Sequence, residues 1–198
     1  MITLVAVLEE ARDQGFLGPG PVEGHLVHAR AYLVALEGTT GYALDLGTGG
    51  GVPGLVLAAE RPDLIWTFLD AMARRTAFLE RAVASLGLAV TVLTGRAEEA
   101  GRRSELRGRH AAVVARSFGA PAVTAECAAP FLAVGGRLVV SEPPEGSDRW
   151  PAGALAELGL GPMTTVAGPP SLAVSILARP CPELYPRRTG VPAKRPLW

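Results

Sequence analysis

Apolar residues recur at Ile2, Val5, Leu8 and Ala11, the helical period, and Gly15 follows. That pattern predicts a short amphipathic helix over 2–14 with a glycine stop. Val22 to Glu37 predicts a second helix, with Leu26, Ala29, Leu33 and Leu36 on one face. The period then changes. Short apolar runs at Tyr42–Leu46, Leu64–Leu69, Ala89–Leu93, Ala111–Ala115 and Arg137–Ser141 read as strands. Between them lie helical stretches at Pro53–Glu60, Arg74–Leu86, a weak charged one reaching about Arg107, and Pro121–Leu132. Pro143-Pro144-Glu145-Gly146 reads as a loop and Ala152–Leu158 as a short helix. Two last strands, Met163–Val166 and Leu172–Leu177, are joined by Gly168-Pro169-Pro170, a hairpin-like turn. Strands alternating with helices imply a parallel sheet, and the final hairpin implies an antiparallel edge. The fold expected is α/β and Rossmann-like: a mostly parallel seven-stranded sheet with an antiparallel C-terminal edge strand and helices on both faces. It is read as a single domain over 1–198, with a short N-terminal helical region (1–37) and a basic, proline-rich extended tail (180–198).

The chain has 198 residues, 48% hydrophobic and 19% charged, which suits one well-buried domain and excludes a disordered chain. Formal net charge is zero, so any basic surface is local. The cations are arginines except Lys194. Cys127 and Cys181 lie far apart without metal-ligand spacing and read as reduced thiols of a cytoplasmic protein. No apolar run reaches the length of a membrane span. His25 and His28 share a helix, but no third ligand is near them, so no metal site is expected. The expected oligomeric state is a monomer.

The chemistry gathers at Leu44-Asp45-Leu46-Gly47-Thr48-Gly49-Gly50-Gly51-Val52-Pro53-Gly54. A strand runs into a glycine-dense turn that opens a helix at about Pro53, the architecture of a nucleotide or nucleoside cofactor site. Gly49-x-Gly51-x-x-Gly54 followed by Asp70 fits a dinucleotide fingerprint. Asp45 argues the other way. A carboxylate before the first glycine repels a pyrophosphate and attracts an ammonium and a sulfonium, both carried by S-adenosylmethionine.

Ligands of open α/β sheets sit beyond the carboxyl ends of the strands. Asp45, the glycine turn, Asp70, Arg96-Ala97-Glu98 and Arg116 fall there. Asp70 is spaced to accept from both ribose hydroxyls or to cap the following helix. Glu98, or the backbone of Ala97, suits an adenine amino group; a helix-start carboxylate is the alternative for Glu98. Arg116 suits a carboxylate, a phosphate or a salt bridge. The tail from Arg179 to Trp198 holds Arg187, Arg188, Lys194 and Arg195 with Tyr185 and Trp198 among prolines, a composition suited to a polyanion or to a solvated terminus.

These motifs carry a resemblance. Asp45 to Leu55, Leu69-Asp70 with Arg74-Arg75-x-x-Phe78-Leu79, Gly95-Arg96-Ala97-Glu98-Glu99, Ala115-Arg116-Ser117-Phe118, Gly135-Gly136 and the tail from Tyr185 to Leu197 are similar to the small-subunit ribosomal RNA methyltransferase G family, also called glucose-inhibited division protein B. The resemblance implies a Rossmann-like class I methyltransferase that moves a methyl group from S-adenosylmethionine to N7 of a guanine in the 16S ribosomal RNA of the small subunit. It implies cofactor contacts at Gly47, Val52, Ala97, Glu98 and Arg116. Asp45, Gly49, Gly51 and Asp70 join that set from the reading above. Arg96, Arg187, Arg188, Lys194 and Arg195 are assigned to the RNA. Guanine N7 carries a lone pair and no proton, so positioning suffices and no catalytic base is assigned. Two segments depart from the family pattern. The N-terminal helical region is short, and Ser141-Glu142-Pro143-Pro144 stands where the family carries Lys-Gly. A paralogue with another acceptor, a binding-only protein and a nicotinamide enzyme are the alternatives.

Overall fold

The computed structural model describes residues 2–143 and 149–198; Pro144, Glu145 and Gly146 of the predicted loop lie outside them. Helix α1 (Leu4–Asp13) starts where the Thr3 hydroxyl accepts from the Ala6 N–H, and it buries Val7, Leu8 and Ala11. It ends at Gly15, whose φ of 72° is the left-handed stop the sequence implied. The second predicted helix is divided into α2 (Val22–Arg30) and α3 (Tyr32–Ala35). Then follow β1 (Gly41–Leu46), α4 (Gly54–Glu60), β2 (Leu64–Asp70), α5 (Ala73–Leu86) and β3 (Val90–Thr94). After these come α6 (Ala97–Ala100), β4 (His110–Ala115), α7 (Pro121–Ala128) and a 3-10 turn at Ala129–Phe131. The chain closes with β5 (Leu132–Ser141), α8 (Ala152–Glu157), β6 (Thr164–Val166), β7 (Leu172–Ile176) and α9 (Val191–Lys194).

The strands form one seven-stranded sheet in the order β3-β2-β1-β4-β5-β7-β6. β1 to β5 are parallel; β7 runs antiparallel to both β5 and β6, so the C-terminal edge is the expected hairpin. One core packs α1, α2, α4 and α5 against one face around Leu55, Trp66, Phe68 and Phe78. The other packs α7, α8 and the tail against the opposite face around Phe131, Leu138 and Leu155. β1 is buried from Ala43 to Leu46, as a central strand covered on both faces must be.

Three departures have local causes. The charged stretch after β3 is helical only over Ala97–Ala100, and it turns at Gly101. Arg107 beyond it donates to the nearby Gly101 carbonyl and to the carbonyls of Cys181, Pro182 and Tyr185, distant contacts that no helical period announces. α7 stops before Pro130, which lacks the N–H an α-helix needs there. β5 begins at Leu132, because Gly135-Gly136 sits inside the strand rather than before it. A Cβ on Gly136 would stand 2.7 Å from the His110 carbonyl oxygen, so the close approach of β4 explains that glycine.

The sheet order reverses between β1 and β4. The carboxyl ends of these strands therefore open a crevice, the place where doubly wound sheets bind ligands.

Candidate functional site

The crevice is built around the glycine loop. The N–H groups of Gly47 and Thr48 donate to the Leu69 carbonyl at 2.8 and 3.1 Å, fastening the loop to the end of β2. Gly47, Gly49 and Gly51 have φ of 72°, 58° and 95°, values that side chains resist. A Cβ on Gly47 would also meet the Phe118 ring at 2.5 Å.

Asp45 does not face the crevice as the sequence suggested. It is fully buried, and its Oδ2 accepts from the Gly54 N–H at 2.8 Å, at the head of α4. A Cβ on Gly54 would sit 2.4 Å from that oxygen, which is why glycine stands there. Oδ1 has no partner. Burial raises the Asp45 carboxyl to about 7, with the negative charge of Asp70 adding to the effect and the Gly54 N–H and Arg116 opposing it. The acid thus shapes the loop from beneath.

A cavity of about 360 Å³ opens above the loop, and Gly47, Asp70, Ala97 and Glu98 line it, with Arg96, which the sequence reading assigned to the RNA, beside them. Gly49, Gly51 and Val52 support the loop from behind and are absent from the lining. Asp70 accepts from the Gly49 N–H through Oδ2 at 2.9 Å and from the Met72 N–H through Oδ1 at 2.8 Å. Its carboxylate clamps the glycine loop to the head of α5, and each oxygen keeps a lone pair for a ligand hydroxyl.

Glu98, with its side chain 5% exposed, is reached by the tail. Its Oε1 accepts from the Gly190 N–H at 2.9 Å and lies 3.4 Å from Arg96 Nη2. Ala193 of α9 also lines the cavity, so the tail forms part of its wall. The tail is therefore not an extended, solvated strand. Arg187, read from sequence as an RNA contact, instead anchors it. Its backbone N–H, Nε and Nη2 donate to the wholly buried Glu126 carboxylate at 2.8, 2.9 and 2.6 Å. Arg188, Lys194 and Arg195 remain exposed on the same segment.

Arg116 turns toward the N-terminal region and lies outside the lining of the cavity. It donates through Nη2 to His25 Nδ1 at 3.0 Å, and His25 Nε2 then donates to the Gly18 carbonyl at 3.2 Å. This fixes the tautomer of His25 and ties the loop after α1 to the end of β4. Among the described residues no His, Cys, Asp or Glu cluster could hold a metal.

Sequence reasoning gave three residues no part in the site. Ser117, with φ of 52°, is the one non-glycine left-handed residue among those described. That turn directs Phe118 into the crevice. Tyr32 crosses from α3, donates to the Ala115 carbonyl at 2.8 Å and accepts from the Ser141 N–H at 3.1 Å, bridging the ends of β4 and β5. A buried tyrosine beyond a helix break was the available signal. His28 lines a second, larger cavity of about 760 Å³, together with Phe118, Glu142, Arg149 and Trp150. Burial first, then the charge of Arg116, lowers His28 to about 4, so it is neutral at physiological pH. Phe118 and Gly119 line both cavities and form the partition between them.

A family model described as rRNA small subunit methyltransferase G matches residues 22–143. A ribosomal RNA small subunit methyltransferase G of Moorella thermoacetica is 36% identical over 184 residues, which cover 87% of this chain and 77% of that protein. A protein of the same description from Deinococcus radiodurans is 42% identical over 165 residues, 78% of this chain and 65% of that one. Among solved structures, a putative S-adenosylmethionine-dependent methyltransferase of Methanococcus maripaludis matches with TM-score 0.61 at 13% identity, covering 86% of this chain and 91% of that one. A T. thermophilus 16S rRNA N2 methyltransferase in complex with S-adenosylmethionine and guanosine matches with TM-score 0.53 at 23% identity, covering 78% of this chain and 39% of that one. At these identities the two structures speak to the fold.

Proposed function

The chain belongs to the rRNA small subunit methyltransferase G family, and on that premise we propose that it methylates N7 of a guanine in 16S rRNA of the small subunit, holding the cofactor in the smaller cavity and the base in the larger. The observation that carries this reading is the pair of adjoining cavities at the strand ends, parted by Phe118 and Gly119.

The smaller cavity suits S-adenosylmethionine. Asp70 offers carboxylate lone pairs that suit the ribose hydroxyls, and Glu98 and the backbone of Ala97, on the same wall, suit an adenine amino group. Gly47 leaves room under Phe118 that any Cβ would fill. Arg116, outside this cavity, braces the N-terminal loop through His25 rather than the cofactor. When bound, S-adenosylmethionine supplies a methyl carbon made electrophilic by its sulfonium.

The protein's part is placement. N7 of guanine presents an in-plane lone pair and no proton, so no residue has to remove one. Phe118 and the neutral His28 bound the larger cavity without adding positive charge, and the Arg149 guanidinium on its wall is paired with Glu142. Arg188, Lys194 and Arg195 face outward on the tail beside the cofactor cavity and suit the RNA backbone, as Arg96 does at the cavity mouth. The acidic, buried Asp45 keeps the loop in shape rather than touching the cofactor.

The test is transfer of labelled methyl from S-adenosylmethionine to small subunits lacking the N7 mark, followed by strand-cleavage mapping of 7-methylguanine. One labelled guanine is the expected result. No transfer by a preparation that binds the cofactor would refute the reading.

A further inference from the structure

The larger cavity contains one buried carboxylate whose position the reaction above does not use. Glu142 follows β5, and its side chain is only 8% exposed. It is held from several sides. Its backbone N–H donates to the Ser171 carbonyl at 2.9 Å, and its Oε1 accepts from Trp150 Nε1 at 3.0 Å. Arg149 Nη1 stands 3.5 Å from Oε2. The carboxylate is therefore a fixed acceptor on the wall of a cavity that Phe118 and Trp150 also line.

We propose that Glu142 selects guanine, its carboxylate accepting from N1–H and the 2-amino group of the target base. The inference rests on the guanine-N7 reading above and adds the residue that recognises the base. Among the RNA bases guanine alone offers two adjacent donors on one edge, and a carboxylate offers two adjacent acceptors. Adenine, cytosine and uracil each place an acceptor beside their donor on that edge, which a carboxylate repels.

The placement also sets the direction of attack. Glu142 lines only the larger cavity, whereas Phe118 and Gly119 line both. A purine held through N1–H and the 2-amino group at Glu142 leaves its Hoogsteen edge, which carries N7 on the far side of O6, free to face Phe118 and the methyl donor. In the transfer the N7 lone pair forms the new N–C bond, the C–S bond breaks, and its electron pair stays on sulfur. The purine becomes a cation, and a carboxylate in the same cavity favours that charge. Glutamate at this position thus suits the base, where a lysine would suit a phosphate.

The test uses small subunits reconstituted from 16S transcripts carrying sparse inosine, which keeps N7 and N1–H but lacks the 2-amino group. Methylated guanine and methylated inosine at the target position are separated by mass spectrometry of nuclease fragments, for the wild type and Glu142→Gln. The wild type is expected to favour guanine about tenfold or more, the value of one charge-assisted hydrogen bond. Glu142→Gln is expected to slow transfer to guanine and bring the ratio near one, with S-adenosylhomocysteine binding unchanged. A wild-type ratio near one, or equal slowing on both bases in Glu142→Gln, would overturn the proposal, since a residue that merely braces Trp150 moves both alike. No transfer by the wild type to either base would instead remove the guanine-N7 reading itself.

Discussion

Removing Arg187 should cost the protein far more than an ordinary surface arginine would. Its guanidinium and backbone N–H make three hydrogen bonds to Glu126, whose side chain is 0% exposed, and Nη2 also donates to the Arg195 carbonyl at 2.8 Å. In Arg187→Ala the Glu126 carboxylate keeps its burial and loses its guanidinium. Breaking a buried pair from one side costs about 3–5 kcal/mol. The tail offers a partial escape, because peeling it from α7 admits water to Glu126, so about 3 kcal/mol is the expected loss. Urea denaturation of the wild type, Arg187→Ala, Glu126→Ala and the double variant measures it as a cycle. The coupling expected is at least about 2 kcal/mol, with the double variant more stable than the sum of the single losses predicts. A coupling below about 0.5 kcal/mol, the range of exposed ion pairs, would refute the claim that this pair holds the tail. Arg187→Ala should also weaken S-adenosylmethionine binding, because Gly190 and Ala193 belong to the cavity wall and its surroundings.

Two further outcomes follow from buried polar groups. Burial raises Asp45 to about 7, so from about pH 4 to 7 the folded chain holds a proton that the unfolded chain has released, and stability falls as pH rises through that window; in Asp45→Asn the urea midpoint should change less between those pH values. Tyr32→Phe strands the Ala115 carbonyl and the Ser141 N–H, which should lower stability by about 1–3 kcal/mol in thermal or urea unfolding.

The sheet was legible where it is buried on both faces. Tyr42–Leu46, Leu64–Leu69 and Ala111–Ala115 read as strands because parallel strands under helices need apolar runs, and β1, β2 and β4 occupy those places. The glycine loop was legible because positive φ leaves a compositional mark. The cavity-lining places of Asp70, Ala97 and Glu98 followed from their position at strand ends. What sequence could not supply were pairings across the fold. Nothing local couples Arg187 to Glu126, or His25 to Arg116. Asp45 was placed at the right strand end with the wrong direction, since the head of α4 offers it a closer N–H than any ligand. The Gly135-Gly136 pair reads as a breaker, although β4 passes so near Gly136 that only glycine fits there within β5.

The hydrogen bond from Gly190 to Glu98 has a consequence in time as well as in space. An amide exchanges its hydrogen with water only when its acceptor lets go, so exchange at Gly190 counts the moments when the tail leaves the cofactor wall. A ligand that needs Ala193 in place must slow that exchange, and an RNA that draws the exposed cations outward must quicken it. One backbone proton thus clocks whether the two ligands help or hinder each other.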